Sequence, residues 1–171
     1  RIPLSFLESI LNIVVVDVIF PKLKNVKKLD ILYSQKYSAN KKIWDYIIQT
    51  IGKNEIVNFI EFGTYEGRSI KYFSSKFINP KSTFIGFDSF EGLPDTSNHP
   101  MYYQGLFNAE GKIPTILDNR VSFIKGFFSE NKKEIQSVLK KSNNIKLIHF
   151  DADIYSSTLF LLFQLSDYED Y

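Results

Sequence analysis

The sequence predicts an α/β domain built on a doubly wound, mostly parallel sheet, with helices N-terminal to it. Three observations lead there. Four short apolar runs of strand length recur along the chain: IVNFIEF (56–62), STFIGFD (82–88), RVSFIKGF (120–127) and IKLIHFD (145–151). Segments with apolar residues at helical spacing alternate with them, which is the pattern of parallel strands joined by crossover helices. The first run also passes through a glycine-punctuated turn, GTYEG, directly into a helical pattern.

The elements follow in order. The stretch IPLSFLESILNIVVVDVIF (2–20) is the most apolar in the chain, but Glu8, Asn12 and Asp17 interrupt it and Pro21 ends it. It falls short of the ~20 mostly apolar residues that span a bilayer, and no small-residue cleavage pattern follows it. It is expected to be a helix packed on this domain or on a second copy, so a homodimer is one arrangement it allows. SANKKIWDYIIQTI (38–51) places Ile43, Trp44, Ile47, Ile48 and Ile51 at helical spacing, with Ser38 or Asn40 as cap and Gly52 as stop. Residues 1–52 are thus an N-terminal helical segment and 53–171 the α/β domain. Further helices are expected over Arg68–Phe77, Ile113–Asp118, Ser129–Lys140 and Thr158–Leu165, the last capped by Ser156 and Ser157.

Composition narrows the classes. A chain of 171 residues, 44% hydrophobic and 23% charged, suits one globular domain. It has no cysteine, which removes disulfides and thiolate metal sites and fits a reducing cytoplasm. The formal charge is +2, and the lysines are scattered rather than gathered into a tract, so no nucleic acid and no membrane partner is expected.

In doubly wound sheets ligands sit beyond the carboxyl ends of the strands. Here those ends are Glu61-Phe62-Gly63, Asp88, Gly126-Phe127-Phe128 and Asp151-Ala152-Asp153. Three of the four carry acid, a rim that repels pyrophosphate and accepts cationic groups and sugar hydroxyls. Gly63 and Gly67 are four apart, and Tyr65 stands where a dinucleotide turn needs its middle glycine. Asp88, 27 residues after Glu61, is placed to accept both hydroxyls of a ribose. S-adenosylmethionine fits these residues better than NAD, with Glu61 and the Gly63 turn facing its ammonium and sulfonium.

The segments FIEFGTYEGRSI, FIGFDSFEGLPD, VSFIKGFF and LIHFDADIYSST occur in order within roughly residues 57–165. Together they resemble the macrocin O-methyltransferase family, class I S-adenosylmethionine-dependent enzymes that methylate sugar hydroxyls. The resemblance implies a Rossmann-like methyltransferase fold and a small-molecule hydroxyl acceptor, a glycoside by class. It assigns the cofactor to Glu61, Gly63, Tyr65, Ser69, Asp88 and Ser89, with Gly126 and Phe127 by the adenine. It gives Asp151 a magnesium ion that also meets the acceptor, and His99, in the loop DTSNHPMYYQG, is the base expected from the region where the family carries a histidine; Asp153 is a second candidate for the metal, or a support for the next turn. It also implies a fifth strand, further metal-binding acids and a closing antiparallel pair, so the sheet is expected to lack its C-terminal strands and to leave the fourth strand with an open apolar edge.

Other readings of the same residues stay open. Glu61 is also placed to cap the helix near Gly67, Asp88 to form an Asx-turn, Asp151 and Asp153 to be plain loop acids, and His99 a solvated turn residue. His149, inside the fourth run, reads as structural, and Tyr102 and Tyr103 as a lid or as cover for the sheet. Two other functions compete with methyl transfer: a binding or scaffold module on the same fold, and a nicotinamide-dependent oxidoreductase, which the acid rim and Tyr65 disfavour.

Overall fold

The computed structural model describes residues 37–94, 102–140 and 144–166. The apolar stretch 2–20, the loop residue His99 and the acids of the last five positions lie outside the described residues. Among the described residues eight elements follow one another: α1 (Tyr37–Ile51), β1 (Val57–Phe62), α2 (Arg68–Lys76), β2 (Thr83–Asp88), β3 (Val121–Lys125), α3 (Lys132–Lys140), β4 (Ile145–Phe150) and α4 (Tyr155–Ser166).

All four strands are parallel, in the order β3-β2-β1-β4. The chain steps outward from β1 to β2 and β3 and then returns to the far side of β1. A crevice therefore opens between the carboxyl ends of β1 and β4, the usual ligand position in such sheets. Among the described residues no strand pairs with the outer edge of β4.

Alternation along β1 divides the core in two. Val57 and Phe59 point to the face covered by α1 and α2, where Ile70, Phe73, Phe77 and Phe84 join them. Ile60 and Phe62 point to the other face, against Phe87, Ile135 and Leu139 and against Leu161 and Leu165 of α4. Burial on both faces explains why β1 reads as a nearly continuous apolar run. Truncating one of these buried phenylalanines to alanine costs about 3–5 kcal/mol.

The helices have identifiable ends. Gly52 closes α1 at φ 98°, its N–H bonded to the Ile48 carbonyl at 2.8 Å, so the expected stop is observed. Trp44 and Ile48 of α1 join the core below, Trp44 lying 5.4 Å from Tyr72 and 5.7 Å from Phe73, ring centre to ring centre. The Tyr72 hydroxyl donates to Asp45, tying α1 to α2. That bond, with burial and the charge of Asp45, pushes the Tyr72 phenol up to about 12. At the other end of α2, Arg120 donates to the carbonyls of Ser74 (2.7 Å), Phe77 (2.6 Å) and Asn79 (3.0 Å) and pairs with Asp118 (2.6 Å).

Four expectations are corrected. Residues 113–118 are not helical: Pro114 interrupts the segment, and the chain instead runs as a strap whose Pro114 and Ile116 lie against Gly67. The helix expected from Ser129 starts at Lys132, because Gly126–Asn131 is spent in turns bonded Glu130 N–H to Phe127 and Asn131 N–H to Phe128. The last helix starts at Tyr155, with the Thr158 N–H bonded to the Ile154 carbonyl, which puts Ser156 and Ser157 inside its first turn rather than at its cap. α1 starts at Tyr37, so Ser38 and Asn40 likewise fall within it.

Candidate functional site

A cavity of about 530 Å³ opens at the carboxyl ends of the strands. Each strand end contributes to it: Gly63 and Tyr65 after β1, Asp88 and Ser89 after β2, Gly126 and Phe127 after β3, Asp151 and Asp153 after β4. Residues far apart in sequence but predicted from strand ends thus share one wall. The sheet ladder continues into the rim, with Gly63 N–H on the Phe87 carbonyl (2.9 Å), Gly126 N–H on Asp88 (3.0 Å) and Asp151 N–H on Phe62 (2.8 Å).

Two sequence features shape the β1 turn. Gly63 has φ 88°, and a Cβ there would sit 2.2 Å from the Asp151 carbonyl oxygen, so only glycine lets the β1 and β4 ends approach this closely. Tyr65 is held at φ 47° although it has a side chain. What holds it is Asp88, whose Oδ2 accepts the N–H groups of both Thr64 and Tyr65 at 2.7 Å. Asp88 Oδ1 accepts the Phe90 N–H, also at 2.7 Å, so the Asx-turn reading of Asp88 is observed. Ser89 closes the same turn, accepting from Glu91 N–H at 3.2 Å and donating to the Gly92 carbonyl at 3.0 Å.

Glu61 and Ser69 do not line the cavity. Glu61 is fully buried in the α1/α2 layer, where the Ser69 hydroxyl donates to its Oε1 and His149 Nδ1 lies 2.8 Å from the same atom. Glu61 does not cap α2, whose N-cap is Gly67 with no side-chain cap bond. Its Oε2 and the Thr64 Oγ1 are buried with no hydrogen-bond partner among the described residues. Burial pushes the Glu61 carboxyl up, and the bonds to His149 and Ser69 only partly offset it. Burial opposes a charged His149, but the hydrogen bond and charge of Glu61, with the charge of Asp151, outweigh it and raise the imidazole.

The cavity's electrostatics are acidic. Asp88, Asp151 and Asp153 line it, and among the described residues no lysine or arginine does. Burial, then the charges of Asp151 and Asp88, push the Asp153 carboxyl up, so these acids feel one another. The rest of the wall combines serines, among them Ser129, Ser156 and Ser157, with the aromatic rings of Phe128, Phe160 and Phe107, the last meeting Tyr65 edge-on at 5.7 Å between ring centres. The N-terminus of α2, where a phosphate would sit, is covered by Pro114 and Ile116.

Sequence reasoning missed the strap residues Pro114 and Ile116, the wall residue Phe107 and the partner of His149. Phe107 carries no local signal. His149 does: it stands two residues before a strand-end acid, as Glu61 stands two before Gly63, and the two are register partners across β1 and β4. Tyr102 and Tyr103 do not line the cavity; Tyr103 is exposed.

Among the described residues no group of three or more histidine, aspartate or glutamate side chains is placed to hold a metal ion. Asp151 and Asp153 both line the cavity. Among the described residues, no helix is long and apolar enough to cross a membrane.

Fold and site together define an α/β protein with a four-stranded, all-parallel sheet, flanking helices and an acid-lined cleft at the switch point, compatible with a Rossmann-like fold. Comparison with protein-family models and with curated proteins gives no match.

Proposed function

We propose that the chain carries the cofactor-binding core of an S-adenosylmethionine-dependent O-methyltransferase whose acceptor is a sugar or related polyhydroxyl small molecule, with magnesium assisting. One observation carries the reading: a cleft at the strand ends lined by Asp88, Asp151 and Asp153, with no basic side chain among the described lining residues. Such a wall attracts a cationic adenosine derivative and repels a pyrophosphate. The cover of Pro114 and Ile116 over the start of α2 supports the same choice against NAD.

The residues fit the cofactor's chemistry. The cavity, about 530 Å³, is of the size that encloses a small-molecule ligand. Its aromatic wall suits an adenine ring, and its acids suit an ammonium and a sulfonium. When bound, S-adenosylmethionine supplies a methyl group already activated for displacement. What the chain must add is alignment of the acceptor oxygen and removal of its proton. Gly63 and Tyr65 form the floor on which the ligand rests. Asp151 and Asp153 are the residues that would hold magnesium, which lowers the pKa of an acceptor hydroxyl. His99 is the proposed base.

The test is transfer of a labelled methyl group to a panel of glycosides, with and without magnesium, by the wild-type chain and by Asp151→Asn. The reading expects magnesium-dependent labelling that Asp151→Asn reduces at least ~100-fold. Cofactor-saturated protein that labels no glycoside would overturn the assignment to sugar O-methylation.

A further inference from the structure

We infer that residues 4–18 form a helix that seats on the face of β4 beside α1, within the same molecule rather than on a second copy.

Burial on the α1/α2 face of the sheet falls off between β1 and β4. Fully buried Val57 has as its register partner Ile145, which is 40% exposed. Fully buried Phe59 is paired with half-buried Leu147, and fully buried Glu61 with His149, whose side chain is 26% exposed. On the opposite face β4 is covered, since Leu161 and Leu165 of α4 share a cluster with Ile148 and Phe150. A parallel sheet is normally covered on both faces, so the α1 side of β4 is a trough. Helix α1 supplies its near wall. Trp44 meets His149 edge-on at 6.3 Å between ring centres, while the neighbouring Asp45 turns to Tyr72 of α2. Helical spacing then puts Ile43 and Ile47, both half-buried, on the flank of α1 away from α2, over β4.

The chain carries a segment that fits this trough. Residues 2–20, outside the described residues, are its most apolar stretch. At helical spacing Leu4, Leu7, Leu11, Val14 and Val18 share one side, with Ser5, Ser9 and Asn12 opposite. A helix over 4–18 is about 22 Å long, and the six residues of β4 run roughly 20 Å. Residues 21–36 join the segment to α1, the wall of the trough itself. That tether presents it at an effective concentration on the order of millimolar, well above what a second molecule offers at micromolar protein.

The sequence has no cysteine, so introduced pairs report without background. In the full chain, Ile145→Cys is combined in turn with Leu7→Cys, Leu11→Cys and Val14→Cys, and with Ser5→Cys, Ser9→Cys and Asn12→Cys. Under mild oxidation we expect one of the first three pairs to form an intrachain disulfide at least ~10-fold faster than any of the last three, read on non-reducing gels and by peptide mass. A disulfide joining two chains would seat a second copy's segment in the trough and overturn the inference. Equal rates on both sides of the segment, or no disulfide from any pair, would overturn it too. Hydrogen exchange supplies a reading free of cysteine geometry: Leu11→Asp in the full chain should speed exchange of the β4 amides at least ~10-fold while those of β2 stay within about twofold. Unchanged exchange in β4 would contradict the seating.

Discussion

His149 Nδ1 lies 2.8 Å from Oε1 of Glu61, a carboxylate with no solvent exposure, and joins β4 to β1 directly beneath the cleft. The two are register partners on the face covered by α1 and α2. With burial and Glu61 setting their directions, both groups hold protons above their ordinary values of 4.5 and 6.5.

A pH dependence of stability follows. The His149 imidazole is raised in the folded chain, so the stability it contributes is complete below its unfolded value of 6.5 and is lost as pH rises through the folded value. The raised Glu61 carboxyl acts in the same sense, since the folded pair keeps a shared proton that the unfolded chain releases. The melting temperature should fall as pH rises above 6.5, and His149→Gln should flatten that slope. An equal slope in the variant would remove the pair as its cause.

Gly63 and Gly105 make a controlled comparison. Both have positive φ, 88° and 79°, but a Cβ on Gly63 meets the Asp151 carbonyl at 2.2 Å while one on Gly105 meets nothing within 4 Å. Gly105→Ala should cost about 1 kcal/mol, from backbone conformation alone. Gly63→Ala should cost more than ~3 kcal/mol and close the cleft to ligand. Urea midpoints for the two variants measure the difference, and equal costs would contradict the close approach of the β1 and β4 ends.

Arg120 is a structural pin on α2. Its guanidinium meets three backbone carbonyls and Asp118, and only 16% of its side chain is exposed. The bonds it makes hold the Asp118 carboxyl below the usual carboxylate range. Arg120→Ala should cost about 3 kcal/mol in urea unfolding, and Arg120→Lys should recover less than half, because an ammonium cannot span that fork. Full rescue by lysine would mean that charge alone suffices.

Thr64→Val tests the unpaired hydroxyl. Thr64 Oγ1 is buried without a partner among the described residues, packed where a Cβ on Gly86 would lie 2.6 Å from it. Replacing the hydroxyl by a methyl group of similar size should be neutral or stabilising, by up to about 1 kcal/mol. A loss of more than ~1 kcal/mol would show that a bound water satisfies it.

Much of this was legible in the sequence because the sheet is buried on both faces. Phe59, Phe62, Phe84 and Phe87 mark strands without structural help, and the strand ends then put Gly63, Asp88, Gly126 and Asp151 around one cleft. What was not legible depends on contacts distant in sequence. The donors that occupy Asp88 Oδ2 come from 23 and 24 residues away, and the partner of Glu61 from 88 away. The segment 113–118 shows the opposite failure: Ile113, Ile116 and Leu117 have helical spacing, but Pro114 and packing over Gly67 decide its course.

The most direct test of the acid-lined cleft is thermal-shift titration of the wild-type chain with S-adenosylhomocysteine and, separately, with NAD. The account predicts a rise of several °C with S-adenosylhomocysteine at concentrations well above its dissociation constant and no change with NAD. A rise with NAD, or none with S-adenosylhomocysteine at millimolar concentration, would contradict it.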